Sequence, residues 1–115
     1  MIKLLLKNNI GFTEANNYGY NVFHIIAKKD NISILLMIVN EFERKSFIKQ
    51  GKLRINDYIN SPSILDNQTP LHIAAKNNSV LVAEYLIKNL DADKEAKDYK
   101  NRTPLAIAAE FSISY

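Results

Sequence analysis

The sequence has no cysteine, which excludes thiol catalysis, cysteine-based metal clusters and a disulfide scaffold. Glycine is scarce, at three of 115 residues, and no glycine-rich loop that could cradle a phosphate is present. No apolar run approaches the length of about 18 residues that a membrane helix needs. The apolar start of the chain is interrupted by Lys3 and Lys7 and lacks a signal-peptide cleavage site. We therefore expect a soluble, cytoplasmic protein without a membrane contact.

The remaining composition is that of one globular domain. Of its 115 residues, 47% are hydrophobic and 23% are charged, which is sufficient for a packed core in a single unit. The formal net charge of +3 is a mild bias, too small to predict binding to nucleic acid.

An internal repeat is the most informative feature of the sequence. When the chain is shifted by 34 residues, residues 67–75 align with residues 101–109, and seven of the nine positions are identical. A shift of 48 residues places residues 21–28 on residues 69–76, with His, Ile, Ala and Lys retained. A weaker third copy is present near the start, where three consecutive leucines precede residues 37–39 by 33 residues.

Each copy reads as a pair of short helices. Thr69 is a good N-cap, and Pro70 at the first helical position loses no hydrogen bond. Leu71, Ala74 and Ala75 follow at helical spacing, and small side chains allow a neighbouring helix to approach closely. A polar turn then precedes a second apolar helix over residues 80–87. Neither helix alone could bury its apolar face, so the pattern predicts stacked units.

These motifs resemble the ankyrin repeat family. Its Thr-Pro-Leu-His-x-Ala-Ala motif is complete at residues 69–75 and lacks only the His at residues 103–109. The resemblance implies an all-α, ankyrin-type helical solenoid, in which helix–turn–helix repeats stack and are joined by β-hairpin-like loops. It also implies that His24 and His72 bond the helix start and the neighbouring backbone.

The repeat spacing divides the single domain, residues 1–115, into four parts: a partial repeat at 1–15, a repeat at 16–63, a complete repeat at 64–97 and a partial repeat at 98–115. The longer shift predicts an insertion in the middle repeat at about residues 41–60. We expect the preceding helix to extend into it, a loop at Gln50 and Gly51, and another short helix. The insertion could contact a partner or pack on the convex side.

Catalytic chemistry has no candidate residues. His24 and His72 occupy the same position in two repeats, which favours a scaffold role over a metal or base role. No nucleophile–base–acid arrangement and no carboxylate cluster with ligand spacing recurs. We therefore predict a non-enzymatic protein with no cofactor, no metal and no small-molecule substrate.

The resemblance implies a partner-binding surface at the hairpin tips and on the exposed, concave side of the first helices. Tyrosine and arginine are enriched at binding hot spots, and the basic members of this set favour an acidic protein partner. The predicted residues are Asn17, Tyr18, Tyr20, Lys28, Lys29, Leu65, Asp66, Gln68, Lys76, Asn77, Tyr99, Lys100 and Arg102.

Other functions stay open at this point. The array could be a regulatory or targeting segment of a larger, multidomain protein, including an enzyme. Its two ends carry apolar residues, such as Leu5 and Phe111, which suggests end-to-end self-association through uncapped repeats. Nucleic-acid binding through the basic residues is the weakest alternative, and it predicts a steep salt dependence.

Overall fold

The computed structural model describes residues 17–48 and 55–111, with the backbone alone for residues 45–48. The partial repeat predicted for residues 1–15 and the loop predicted at Gln50 and Gly51 lie outside this part. Within it there are helices and turns and no strand, so the all-α prediction is confirmed. The helices are α1 (Val22–Ala27), α2 (Ile32–Ile48), α3 (Ile55–Ile59), α4 (Pro70–Lys76), α5 (Val80–Asn89) and α6 (Pro104–Phe111).

The first helix of each unit begins at a polar capping residue. The side-chain oxygen of Asn21 accepts the backbone N–H groups of Phe23 and His24 at the start of α1. Thr69 caps α4 in the same way, and the Thr103 hydroxyl accepts the Ala106 N–H at the start of α6 (3.2 Å). These side chains satisfy amide groups that have no partner within the helix. The capping role predicted for Thr69 is therefore confirmed.

The helices form two layers. Helices α1, α4 and α6 lie side by side, with α4 in contact with both neighbours, and α2 and α5 form the second layer. Asp30 and Asn78, with positive φ angles of 51° and 55°, occupy the turns that join the two helices of each unit. Aspartate and asparagine tolerate this conformation better than other non-glycine residues. The stacking predicted from the repeats is thus present.

Two side-chain bonds hold consecutive units together at these turns. The Ser79 hydroxyl donates to the carbonyl oxygen of Ala27 at 2.5 Å, and the Val82 N–H donates to the Asp30 carboxylate at 2.9 Å. The start of α5 is therefore bonded to the end of α1 and to the turn that follows it.

The core lies between the two layers. Ala27 and Ala74 are buried where α1 and α4 meet, as expected for small residues at a close helix contact. Larger side chains fill the space between the layers. They are Phe23, Leu35, Ile38, Phe42, Ile59, Leu71, Val82 and Leu86.

Within the range predicted for the insertion, the structure describes the end of α2 and the short helix α3. Helix α2 has 17 residues where α5 has 10, so the expected extension of the helix is observed. The Phe42 ring packs on Tyr58 of α3, with 5.4 Å between ring centroids. Asn56 donates its side-chain amide to the carbonyl of Leu90 (3.0 Å), and Asn60 accepts the Asp93 N–H (2.8 Å). Helix α3 is therefore packed against α2 and bonded to the connector of the next unit.

Candidate functional site: the hairpin tips

The loops that precede α4 and α6 are closed by backbone hydrogen bonds. The Ser63 N–H donates to the Gln68 carbonyl (2.8 Å), and the Asp98 N–H donates to the Arg102 carbonyl (2.9 Å). The Ser63 hydroxyl accepts the Gln68 N–H, and the Asp98 carboxylate accepts the Arg102 N–H. A serine and an aspartate thus play the same part in two hairpins of different length.

Buried histidines link each unit to the hairpin of the next. His24 Nδ1 accepts the Asn21 N–H (3.1 Å), so Nε2 carries the proton and donates to the Gln68 carbonyl (2.8 Å). His72 repeats both bonds, with the Thr69 N–H (3.0 Å) and the Arg102 carbonyl (2.9 Å). Both rings are fully buried. The scaffold role that the resemblance implied for these two residues is therefore observed.

The turn at residues 17–20 and the two hairpins that follow in the chain are bonded to one another along one edge. The Ile64 N–H donates to the Tyr18 carbonyl (2.7 Å), and the Tyr99 N–H donates to the Asp66 carbonyl (3.0 Å). Gly19 has a φ of +79°, and a Cβ at this position would lie 2.8 Å from the backbone nitrogen of Ile64. A glycine is required here because a side chain would collide with the next hairpin. The tips therefore form one continuous surface.

Large apolar side chains are exposed on these tips. Tyr18, Ile64, Leu65 and Tyr99 have exposed fractions of 56%, 69%, 66% and 59%. We call these four residues the tip surface. Sequence reasoning predicted three of them and missed Ile64. The available signal was that Ile64 and Leu65 are consecutive apolar residues in a tight turn, where both cannot be buried.

Tyr20 extends the tip surface toward α1. Its ring stacks on the imidazole of His24, with 5.3 Å between centroids, and lies 6.2 Å from the ring of Tyr18. Burial raises the pKa of Tyr20, and the charge of Asp66 raises it further. The Lys28 ammonium lies 5.5 Å from the centre of the same ring. The Lys28 side chain therefore extends from the end of α1 back to the hairpin.

The other predicted residues are placed as follows. Asn17, Lys28, Lys29, Lys76, Asn77 and Lys100 are exposed, and Asp66 is half-buried. The Lys76 ammonium lies 5.5 Å from the centre of the Phe111 ring. Lys76 is the last residue of α4. Its side chain therefore lies near the end of α6 and not at the tips.

Two predicted residues serve the fold. Gln68 is buried, and its side-chain amide donates to the Asp98 carboxylate (3.2 Å). The Arg102 guanidinium, with 18% of its side chain exposed, forms ion pairs with Asp98 (3.0 Å) and Glu110 (2.9 Å). Both side chains are therefore bonded within the fold. The register of a hairpin decides which of its side chains point inward, and this register cannot be read from the sequence.

The carboxylate of Asp98 organises the last hairpin. Burial alone would raise its pKa, but hydrogen bonds from the N–H groups of Arg102 and Lys100 and from the side chains of Gln68 and Arg102 outweigh burial and lower it. Its side chain has no exposed surface. Asp98 is therefore held as an anion inside the hairpin, where accepted hydrogen bonds stabilise the charge.

A second apolar feature lies away from the tips. A groove of about 620 Å³ runs between α4, α5 and α6, and its lining includes Val80, Ile87 and Leu105. Val80 and Ile87 were predicted as part of the apolar face of α5. They are exposed in this groove, whereas Val82 and Leu86 of the same helix are buried.

Across 17–48 and 55–111, no three His, Asp or Glu side chains are grouped as metal ligands. In the same ranges no helix has the length and apolar character to cross a membrane.

Comparison with known proteins agrees with the repeat geometry. The family model "Ankyrin repeats (3 copies)" matches residues 45–114. The chain is 26% identical to Ankyrin repeat and LEM domain-containing protein 2 of Homo sapiens, over 81% of this chain and 11% of that protein. It is 27% identical to the Ankyrin repeat and LEM domain-containing protein 2 homolog of Caenorhabditis elegans, over 81% of this chain and 17% of that protein. It therefore spans less than a fifth of the length of either relative. The family-model match covers more than half of the chain, and the chain belongs to the ankyrin repeat family.

Proposed function

We propose that this chain is a non-catalytic module that binds a protein partner through its hairpin tips and the adjoining exposed side of the inner helices. Ankyrin repeats are generally protein–protein interaction modules, which supports the general class. The finer assignment depends on one observation, the exposure of four large apolar side chains on a single hydrogen-bonded edge. Contiguous exposed apolar surface is typical of interaction sites.

The tip surface has the chemistry of a binding site. Two of its four residues are tyrosines, which combine a large apolar area with a polar hydroxyl group and are enriched at binding hot spots. The backbone beneath them is fixed by the bonds between hairpins and by the buried histidines. A rigid backbone lowers the entropy that is lost when a partner binds.

Affinity capture with matched variants tests this proposal. The wild-type chain and the double variant Tyr18→Ser, Tyr99→Ser are each used to recover partners from a cell extract. Leu81→Ser is the control, because Leu81 is also exposed (53%) but lies on α5, outside the tips. We expect partners that wild type and Leu81→Ser retain and that the double variant loses, with similar melting temperatures for all three chains. Retention by the double variant, or equal loss with Leu81→Ser, would contradict the proposal.

A second function is favoured by the length of the relatives. Both are much longer than this chain, which supports the alternative of a regulatory or targeting segment within a larger protein. The tip surface would then contact another part of the same polypeptide. In that case the tip variants would alter the longer protein, for example its protease sensitivity, and the isolated chain would recover no separate partner.

A further inference from the structure

Three lysines of the predicted binding set form no ion pair within the part of the chain that the structure describes. Lys28, Lys29 and Lys100 are exposed. Within the part of the chain that the structure describes, none of them lies within 4.0 Å of a carboxylate oxygen, since the ion pairs found there involve Arg44, Lys88 and Arg102.

The neighbouring carboxylates are used inside the fold. Asp98 accepts hydrogen bonds from Arg102 and Gln68, Glu110 pairs with Arg102, and Asp30 accepts the Val82 N–H. Asp66, half-buried near Tyr20, is the one predicted tip residue with a negative charge. The positive charge of the lysines is therefore left largely uncompensated, and a negatively charged ligand is favoured there.

The same lysines lie beside aromatic rings. The Lys28 ammonium is 5.5 Å from the centre of the Tyr20 ring, and the Lys100 ammonium is 5.5 Å from the centre of the Tyr99 ring. An ammonium group above a ring is attracted by its π electrons and keeps its charge. Lys28 is thus next to Tyr20, whose ring lies 6.2 Å from that of Tyr18, and Lys100 is next to Tyr99 of the tip surface.

We propose that the tip surface binds an acidic peptide segment of a partner protein, in which carboxylates flank an aliphatic or aromatic side chain. The carboxylates contact Lys28 and Lys100, and the apolar side chain packs on Tyr18 and Ile64. This inference depends on the proposed function and specifies the chemistry of its partner. Exposed Ile64 and Leu65 favour a peptide over a nucleic acid, because aliphatic side chains offer no ring on which a base could stack.

A peptide selection tests the inference directly. A random dodecapeptide library displayed on phage is selected on the immobilised chain, and enriched peptides are synthesised and titrated by fluorescence anisotropy. We expect enrichment of Asp and Glu together with Leu, Phe or Tyr. The neutralised variant Lys28→Gln, Lys100→Gln should weaken their binding about tenfold at low salt, and Lys28→Arg, Lys100→Arg should retain it.

The control variant matches the change in charge at another place. Arg44 and Lys88 are exposed and lie on the outer helices α2 and α5. Arg44→Gln, Lys88→Gln has the same net charge as the neutralised tip variant. We expect it to leave peptide affinity within about twofold of wild type, because distant exposed charges are screened by salt.

The outcomes separate this inference from the proposed function. Neutral or basic peptides that require Tyr18 and Tyr99 would overturn the acidic partner and leave the proposed function standing. Peptides that bind the tyrosine variant and the neutralised variant as tightly as the wild type would overturn both the acidic partner and the proposed function. A selection that enriches no sequence would do the same. Stronger binding of duplex DNA than of any peptide, with loss in the neutralised variant, would replace the peptide by a nucleic acid.

Discussion

The folded protein should lose stability as the pH falls below about 7, because His24 then becomes protonated in the unfolded chain and not in the folded chain. His24 is fully buried, and its Nδ1 lone pair is occupied by the Asn21 N–H while Nε2 donates to Gln68. Protonation of Nδ1 would break the first of these bonds. Burial lowers the pKa of His24 below its ordinary value, although hydrogen bonds to backbone carbonyls partly oppose the shift.

The sign follows from proton linkage. An unfolded histidine has a pKa of about 6.5, so below this pH the unfolded chain binds a proton that the folded chain does not. The free energy of unfolding should therefore be highest above about pH 7 and fall as the pH decreases through about 6.5 toward the lower folded pKa. One such group contributes a loss of up to about 1.4 kcal/mol between pH 7.5 and pH 5.5.

Urea denaturation followed by circular dichroism at about pH 7.5, 6.5 and 5.5 measures this loss. Carboxylates titrate mainly below this range. We expect His24→Gln to have a smaller pH dependence than the wild type, because it lacks the titrating group. His72→Gln is the matched control, since it removes the equivalent residue of the next unit and keeps His24. If His24→Gln loses stability as steeply as the wild type, the reasoning is wrong.

Four further substitutions test the fold. Gly19→Ala should destabilise the folded protein by more than about 1 kcal/mol, because its Cβ would collide with Ile64. Asn101→Gly should be neutral or stabilising by up to about 1 kcal/mol, because Asn101 has a φ of +63°. The midpoints of urea denaturation measure both effects. Phe42→Ala should cost about 3–5 kcal/mol, visible as a large loss of melting temperature, because Phe42 is buried between the layers. Arg102→Ala should also lower the melting temperature, because it breaks two ion pairs. Lys100→Ala is the control and should leave the melting temperature unchanged. Equal melting curves for the two variants would contradict the role of Arg102 in the fold.

The sequence repeat predicted most of the fold because the residues that recur in it are those that begin the helices and form their apolar faces. A capping residue, a helix start and an apolar face recur at fixed spacing, and α4 and α6 begin at the predicted prolines. The difference between the two shifts predicted an insertion at about residues 41–60, and a long α2 and a short α3 are observed in and next to that range. The bonds from Asn56 and Asn60 to the next connector join distant positions, and no local pattern encodes them.

The candidate site was predicted less completely than the fold. Tyr18, Leu65 and Tyr99 are exposed as expected, since a tight hairpin leaves little room to bury them. Gln68 and Arg102 were predicted only as surface residues, whereas their side chains also bond to Asp98 within the fold. A buried hydrogen bond between residues 30 positions apart depends on how two hairpins meet, which composition and periodicity do not determine.

The repeat also separates the scaffold from the surface within each hairpin. Under the two shifts, Gly19, Asn67 and Asn101 are equivalent, and all three adopt positive φ angles. The residue before each of them is Tyr18, Asp66 and Lys100, three side chains of different chemistry on the same turn. The turn conformation is thus kept in every copy, while the adjacent side chain is apolar, negative or positive. If the tip surface binds a peptide as proposed, exchanging Tyr18 with Lys100 should change the peptides that are selected while leaving the fold intact.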